Sequence, residues 1–379
     1  MLTLDPADVR PRLVSWLGLA GPTGAGAAGA RQLLDRLNHI QLDPLDPLGT
    51  NADLVAMARI PDLDRGDVYR ALGDGHAFEH FAKMRCLLPA RAFPWYRDHV
   101  KTELWWRNDR VERLPDGALE SVLAEVRERG PITAQALTDR GGVQAMDWSG
   151  WKGTGKATTM ALEELWSRCS VVVCGRSQTN QRLYAVPEQV FEPEITQAPS
   201  SSWGPWALLQ RAHAAGLLQA ADGPQWGVLS EQRKDGTIGR LLDSGELIKV
   251  KLPGSSRAYY ATPAFLEHAP QEADDTIRIL GPLDPLIWDR KLIQHAFGFE
   301  YLWEVYKPKE KRRWGWYVVP LLRAGRLIGR VDGKIDGDTL RVRTVWWESA
   351  ADKDVPALRA ALREHARRCG AARVAGRLA

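Results

Sequence analysis

Two stretches of this 379-residue chain repeat one pattern of residues at a constant offset, without a gap. The first ends in Leu183-Tyr184-Ala185 and Pro187, and the second ends in Tyr259-Tyr260-Ala261 and Pro263, 76 positions later (260 − 184 = 76). Each copy predicts an amphipathic helix with apolar residues at i, i+3 and i+4, followed by a strand, a polar turn and a second strand. Self-similarity of this kind constrains the fold strongly, because both copies must form the same unit. The apolar positions that match upstream are Leu162, Leu165, Trp166 and residues 171–173 in the first copy, and Ile238, Leu241, Leu242 and residues 247–248 in the second.

A helix and a β-hairpin that follow two shorter helices form the plan of a winged-helix module. Its helix suits the major groove of DNA, and its hairpin suits a phosphate edge or the minor groove. A third, shorter copy occupies residues 76–89, and from residue 274 strand-like segments take over. We therefore predict an α+β chain with three tandem winged-helix modules, a small antiparallel β-domain and a C-terminal helix. The expected domains are residues 1–100, 101–195, 196–270 and 271–379.

Apolar periodicity and end signals also predict the individual elements. Helices are expected at residues 5–17, 30–38, 51–59, 64–72, 94–107, 117–129, 133–139, 156–168, 203–215, 230–244 and 352–369. Outside the repeats, strands are expected at residues 301–306, 314–322, 326–331 and 339–347.

Charge and cysteine content narrow the class of protein. The net charge is only +4, but residues 307–313 hold five basic side chains against Glu310, which suits a polyanion or equally a solvated surface. No apolar run approaches ~20 residues, and the first residues lack a signal-peptide core. The four cysteines have neither CxxC spacing nor paired histidines. We therefore expect no metal or cofactor, and a monomer in the reducing cytoplasm, associated with the nucleoid.

Familiar catalytic signatures are absent: the chain has no P-loop, GxSxG, HExxH or zinc-deaminase motif. One short motif remains, Gln41-Leu42-Asp43 before Pro44. In an extended segment residues i and i+2 share a face, so Gln41 and Asp43 would point together and Leu42 into the core. An amide beside a carboxylate can hold and polarise a water molecule. Alternatively, Asp43 is an ordinary turn residue, and Asp46-Pro47 repeats the arrangement at once. The residues alone leave both interpretations open.

Five motifs in order extend across about 280 residues. They are Gln41-Leu42-Asp43, Phe78-Glu79 with Leu87-Leu88-Pro89, Leu183-Tyr184-Ala185-Val186-Pro187, the segment from Asp284 to Arg290, and the segment from Lys311 to Tyr317. Together they resemble the YcaQ/AlkZ group of winged-helix bacterial DNA glycosylases, in its Gln-x-Asp (YcaQ- or AlkX-type) form. The first hairpin departs from that group, which usually reads Phe-Glu-Tyr-Trp-x-His; here His80 and Phe81 replace the aromatic pair, and Lys83 stands at the position of the histidine.

The resemblance implies a monofunctional DNA glycosylase that hydrolyses the N-glycosidic bond of alkylated purines. N7-alkylguanine is the main expected lesion, and bulky adducts and interstrand crosslinks are further expected substrates. The enzyme would act in base excision repair or in self-resistance to a genotoxin. Its partner would be double-stranded DNA that carries such lesions. Asp43 would stabilise the sugar cation and activate water, and Gln41 would orient the water or bind the sugar.

Basic side chains supply the expected DNA contacts. Lys83, Arg85 and Arg176 would flank the lesion, and Lys156 would approach a phosphate at the start of a helix. The residues expected on other phosphates are Lys309, Lys311, Arg312 and Arg313. Two rival classes stay open: a winged-helix transcriptional regulator in which Gln41 and Asp43 are purely structural, and a protein that sequesters a flat natural product through exposed tryptophans.

Overall fold

The computed structural model describes residues 1–100, 111–144 and 154–378, and this part of the chain is a mixed α+β protein. In chain order its helices are α1 Pro6–Trp16, α2 Gly26–Leu37, α3 Asn51–Met57, α4 Arg70–Gly73, α5 Phe93–His99, α6 Ala118–Arg129, α7 Ala157–Ser167, α8 Trp203–Ala215, α9 Thr237–Asp243, α10 Pro263–Glu267, α11 Arg290–Phe297 and α12 Val355–Arg368.

The strands are mostly short. They are β1 Leu2–Thr3, β2 Ile40–Gln41, β3 Ala77–Phe81, β4 Arg85–Pro89, β5 Ile132–Thr133, β6 Gly142–Gln144, β7 Thr154–Lys156, β8 Val172–Arg176, β9 Arg182–Ala185, β10 Leu218–Gln219, β11 Ile248–Lys251, β12 Ala258–Ala261, β13 Arg278–Ile279, β14 Val318–Arg323, β15 Arg326–Asp336, β16 Thr339–Trp347 and β17 Arg373–Gly376.

The chain divides into two compact units. Unit 1 contains Met1–Val68, Phe81–Cys86 and Gly204–Ala379, and unit 2 contains Tyr69–His80 and Leu87–Trp203. The four domains expected from the sequence have other boundaries, since residues 1–100 contribute to both units, and they stay a prediction.

One arrangement of strands occurs three times. A two-residue strand pairs with the second strand of a hairpin, which pairs with the first, in the orders β2-β4-β3, β5-β9-β8 and β10-β12-β11. The strands of the second and third hairpins also keep the offset of the sequence repeat, since β8 and β11 begin 76 residues apart, as do β9 and β12. Tyr184 pairs with Ile132 and Tyr260 with Leu218, so the repeated tyrosines hold equivalent positions.

Three expected elements are wrong. Residues 133–139 form no helix, because Thr133 pairs with Leu183 of β9 and a turn follows, so that sheet pairing overrides local helix propensity. The helix expected at 230–244 starts only at Thr237, because Gly236 takes a positive φ of 81°. Residues 301–306 form no strand; the Tyr301 hydroxyl instead donates to the carbonyl of Val318 at 2.7 Å. Of the helix expected at 94–107, the portion beyond residue 100 lies outside the described residues.

The C-terminal sheet has the order β13-β14-β15-β16-β17, and its core lies against α12 through Leu358 and Leu362. The expected antiparallel sheet is confirmed for β13 to β16, but β17 pairs parallel to β16. A parallel neighbour requires a crossover, and α12 supplies it. Among the described residues, no helix has the length and apolar character needed to cross a membrane.

A buried ion pair within unit 1 joins segments that are far apart in sequence. Arg59, at the end of α3, donates to both carboxylate oxygens of Asp284 at 2.7 and 3.0 Å, and both side chains are fully buried. The same guanidinium donates to the carbonyls of Leu17 and Val55. Asp284 also accepts from the amide of Leu286, so the start of the segment that leads to α11 is fixed from two sides.

Removing one partner of this pair should strongly destabilise the protein. We expect Arg59→Met to lower the free energy of unfolding by about 3–5 kcal/mol, because it leaves the Asp284 carboxylate buried without a countercharge. Urea denaturation followed by circular dichroism measures this change. The matched control is Arg373→Met, which breaks an exposed pair with Asp338 and should cost under about 1 kcal/mol. Equal effects of the two substitutions would contradict the importance of the buried pair.

Candidate active site

The Gln41-Leu42-Asp43 motif begins on β2 and leaves it at once. The amide of Leu42 donates to the carbonyl of Arg85 at 2.9 Å, and the strand ends at Gln41. Gln41 is 6% exposed, whereas Leu42 and Asp43 are half-buried. The expectation that Leu42 alone points into the core is therefore wrong. The physical reason is that strand alternation stops at Gln41, and a turn sets the direction of Asp43.

The backbone of Gln41 is fixed by Asn51, the first residue of α3. The Asn51 side-chain amide donates to the Gln41 carbonyl at 2.8 Å, and its oxygen accepts from the amide of Leu283 at 3.0 Å. Asn51 is fully buried, and a Cβ on Gly281 would lie 2.4 Å from its oxygen, so Gly281 is needed for this close approach. Asn51 thus ties the motif to the segment that Arg59 holds through Asp284.

The side chain of Gln41 is fixed by Lys83. The Lys83 ammonium nitrogen lies 2.8 Å from Oε1 of Gln41 and 5.6 Å from the ring centre of Trp288, and only 7% of the residue is exposed. Burial lowers the pKa of Lys83 to about 8, with smaller contributions in the same direction from Arg211 and Arg290, against an opposing effect of Cys86. Oε1 of Gln41 accepts this hydrogen bond, and the Nε2 group is the donor of the side chain.

Lys83 lies in the turn of the first hairpin, and a glycine holds that turn in place. The amide of Val228 donates to the carbonyl of Ala82 at 3.3 Å. Gly227 has a positive φ of 53°, and a Cβ there would lie 2.4 Å from the carbonyl oxygen of Lys83. A larger residue at position 227 would therefore displace the backbone of Lys83. Phe81 and Met84, on either side of the turn, are exposed.

Asp43 is held by its own turn. Its Oδ1 accepts from the amide of Leu45 at 2.9 Å, and no ion pair to Asp43 occurs among the described residues. Burial raises the pKa of Asp43, and the hydrogen bond from Leu45 only partly opposes the shift. A half-buried carboxylate without a countercharge is costly, and none of the described residues supplies that charge. Burial also raises the pKa of Tyr317, and the Asp43 charge adds to that shift.

Three of the predicted DNA contacts, Arg85, Lys156 and Arg176, already contact other side chains of the protein. Arg85 is half-buried and lies over the ring of Phe81 at 5.7 Å. Within unit 2, Lys156 is exposed directly before α7 and lies 3.8 Å from Asp139. Arg176 pairs with the buried carboxylate of Glu79 and lies over a tyrosine ring at 4.8 Å.

The predicted phosphate contacts lie together on one loop of unit 1. Lys309 and Lys311 are exposed in a short 3₁₀ turn, Lys309–Lys311. Arg312 donates to the carbonyl of Lys307 at 2.8 Å, and Arg313 pairs with Glu300 at 2.7 Å. At the end of the loop, the backbone amides of Arg313 and Trp314 donate to the buried carboxylate of Glu304. Burial alone would raise the pKa of that carboxylate, but the amides of Trp314 and Arg313 and the ammonium of Lys307 together lower it to about 2.

The third copy of the strand pattern contains a counterpart of the Gln41–Lys83 pair. Gln219 ends β10 as Gln41 ends β2, is also 6% exposed, and its Oε1 accepts from Arg257, in the loop of the β11–β12 hairpin. The position that corresponds to Asp43 is Ala221. A buried glutamine that accepts from a hairpin cation therefore occurs in the first and third copies, whereas the short strand of the second copy ends in Thr133. Between the two copies that have the glutamine, the acid distinguishes the first.

Sequence reasoning found the motif and missed its supports. Asn51 has no local signal, since it reads as an ordinary first residue of a helix. Trp288 and Asp284 lie in a segment that the resemblance singled out, which could have indicated a role near the motif. Lys83 was predicted as a lesion-flanking DNA contact, but its contact with Gln41 depends on pairing across 42 positions. No group of three or more metal-ligating side chains occurs within residues 1–100, 111–144 and 154–378.

Comparison with known proteins places this chain in a family. The family model described as "DNA glycosylase AlkZ-like" matches residues 34–372, which include the motif, all three hairpins and most of the C-terminal sheet. The chain belongs to the AlkZ-like family and is an enzyme of the DNA glycosylase class. The fold is similar to that of the Streptomyces sahachiroi DNA glycosylase AlkZ, with a TM-score of 0.61 and 17% identity, over 99% of this chain and 100% of that one.

The raised pKa of Asp43 has a consequence for stability. The folded protein binds the Asp43 proton more tightly than the unfolded chain, so the free energy of unfolding falls as the pH rises from the ordinary pKa through the raised one, and stays reduced above it. Asp43→Asn removes the charge and keeps an oxygen that can accept from Leu45. We expect this variant to be more stable than the parent at neutral pH, with the difference vanishing toward pH ~3.

Thermal melting at several pH values measures the difference. Asp336→Asn is the matched control, because ion pairing with Arg341 lowers the pKa of that exposed carboxylate. The control should therefore lose stability at neutral pH or stay unchanged. A clear loss of stability in Asp43→Asn at neutral pH would instead identify Asp43 as a structural turn residue.

Proposed function

We propose that the protein hydrolyses the N-glycosidic bond of N7-alkylated purines in double-stranded DNA, with Asp43 and Gln41 as its catalytic residues. The observation that carries the proposal is the half-buried Asp43 carboxylate, which has no cationic partner among the described residues and lies two positions after a buried, doubly held glutamine. A half-buried carboxylate without a cationic partner is suited to bind a ligand that carries positive charge.

The chemistry of such lesions suits a site with one acid. An N7-alkylated guanine is already cationic and leaves the sugar as a neutral base, so no general acid is needed, unlike O-glycoside hydrolysis with its two carboxylates. The enzyme must stabilise an oxocarbenium ion and deliver water. A carboxylate ~4 Å from that cation at an effective dielectric constant of about 20 contributes about 4 kcal/mol. This corresponds to roughly a thousandfold in rate.

Gln41 has the complementary role. Its Oε1 accepts from Lys83, and its Nε2 group donates to an oxygen of the sugar or of the attacking water. Asp43 takes the proton of that water as it attacks C1′, and burial, which raises the pKa of the carboxyl group, makes Asp43 a better base than an exposed aspartate. The reaction then yields the free base and an abasic sugar.

Base release tests this proposal directly. We expect Asp43→Asn to reduce release of N7-methylguanine from a defined duplex by about three orders of magnitude, while DNA binding changes little. Single-turnover release measured by chromatography and binding measured by fluorescence anisotropy separate the two effects. The control is Asp46→Asn, which changes the next aspartate–proline pair and should release the base at near the parent rate. Unimpaired release by Asp43→Asn would remove this residue from the mechanism.

Recognition of DNA is proposed to use the repeated units. The three strand patterns with their preceding helices, in residues 1–100, 101–195 and 196–270, would be winged-helix modules, followed by the β-domain 271–379. Arg85 and Arg176 would flank the lesion, and Lys156 would approach a phosphate at the start of α7. The residues proposed to contact other phosphates are Lys309, Lys311, Arg312 and Arg313. Lys309 and Lys311 are the strongest of these candidates, because both are exposed on one turn.

Salt dependence tests the phosphate contacts. Replacing Lys309 and Lys311 by glutamine should weaken binding about equally on damaged and undamaged duplexes. It should also reduce the slope of log affinity against log salt by about 0.9 for each phosphate that the variant no longer neutralises. Lys353→Gln, an exposed lysine outside this loop, should leave the slope unchanged. An unchanged slope in the double variant would place these lysines away from DNA.

The lesion range also belongs to the proposal. The proposed range includes bulky N7 adducts and interstrand crosslinks. The enzyme would act on them in general base excision repair or in self-resistance to a genotoxin. It would work as a monomer in the cytoplasm, associated with the nucleoid. A screen of base release across N7-methylguanine, 3-methyladenine, a bulky N7 adduct and a crosslinked duplex ranks these substrates. A regulator without catalysis would leave all four intact and protect one promoter, so the screen separates the two classes.

A further inference from the structure

Lys83 stands out among the groups that the proposed hydrolysis does not use. It is a buried amine in hydrogen-bond contact with the proposed catalytic amide. A lysine that only contacts phosphates would be exposed and fully charged, as Lys309 and Lys311 are. Its charge would also oppose the formation of a cationic sugar beside Gln41, so a permanently protonated Lys83 would work against the proposed reaction.

We propose that Lys83 is the nucleophile of a second activity, an abasic-site lyase, in which its amine forms a Schiff base with C1′ of the sugar that base release leaves behind. The inference rests on the proposed function, because that function places the sugar beside Gln41, whose Oε1 is 2.8 Å from the Lys83 nitrogen. It departs from the monofunctional prediction made from the sequence, because a glycosylase that also cuts the strand is bifunctional.

The surroundings of Lys83 keep a fraction of its amine neutral. Desolvation is the largest cause of its lowered pKa, and the charges of two guanidinium groups, those of Arg211 and Arg290, lower it further. Arg211 is itself buried and donates to the carbonyls of Gln225 and Trp226, so its charge is fixed in place. The opposing group is the thiol of Cys86, whose own pKa burial raises. With a pKa of about 8, roughly a tenth of Lys83 is neutral at pH 7, against well under a thousandth of an ordinary lysine.

The chemical steps balance without a further oxidant or reductant. The abasic sugar opens to its C1′ aldehyde, the neutral amine adds to C1′, and the resulting hydroxyl leaves as water after protonation, giving an iminium ion. Asp43 removes a proton from C2′, which converts the iminium to an enamine. The enamine then expels the 3′ phosphate with the electrons of the C3′–O bond, which cuts the strand. Water finally hydrolyses the remaining iminium and frees Lys83.

Reductive trapping on a preformed abasic duplex tests the lyase apart from the glycosylase. With sodium cyanoborohydride we expect the parent protein to form a covalent complex with DNA, and Lys83→His and Lys83→Arg to form at least about tenfold less. Lys353→Arg, at an exposed lysine, should be trapped like the parent. Trapping by the parent should rise about tenfold per pH unit below pH ~8. Mass spectrometry of the digested complex should locate the adduct on Lys83.

Every outcome decides the inference. An untrapped parent, an adduct mapped to another amine, or full trapping of Lys83→His would overturn it. Should the variants fail to bind a duplex with a tetrahydrofuran abasic analogue, the adduct map of the parent protein alone decides. Trapping without release of N7-methylguanine would reject the proposed activity on N7-alkylated purines and keep the lyase, whereas base release without trapping would do the reverse.

Discussion

The candidate site depends on a chain of buried polar contacts that starts at the Arg59–Asp284 pair. Two fully desolvated charges are tolerated only with close geometry and further hydrogen bonds, and both conditions hold here. The pair fixes the segment after residue 281, whose Leu283 amide holds Asn51 and whose Trp288 faces Lys83. Asn51 and Lys83 then fix the backbone and the side chain of Gln41. A motif of three residues thus receives its geometry from contacts more than 200 positions away.

The repeat and the helix–hairpin units could be predicted from sequence because periodicity is a local property. The strand spacing of the second and third hairpins matches the predicted offset. The failures occurred where tertiary contacts override local preference: Thr133 pairs in a sheet, and Tyr301 is held through its hydroxyl group and not by strand pairing. The parallel β17 was missed because its pairing depends on the path of α12 across the sheet.

At the site, the sequence identified the types of residue but not their burial or their hydrogen-bond partners. Gln41 and Asp43 were recognised as a pair, yet the end of β2 gives them different environments, one buried and held twice, the other half-buried in a turn. Lys83 was predicted as a DNA contact beside the lesion, and in the structure its side chain is buried and contacts Gln41. Such a state arises from groups on several separate elements, including Arg211 and Trp288, and no local pattern encodes that combination.

The counterpart pair of Gln219 and Arg257 provides a comparison within the same molecule. The first copy of the strand pattern carries an amide, a hairpin cation and an acid, while the third has the first two and a methyl group at the third position. A buried glutamine and its cation therefore form without a carboxylate two positions later. The physical requirements for holding the glutamine can thus be measured in the third copy, apart from those proposed for breaking a bond.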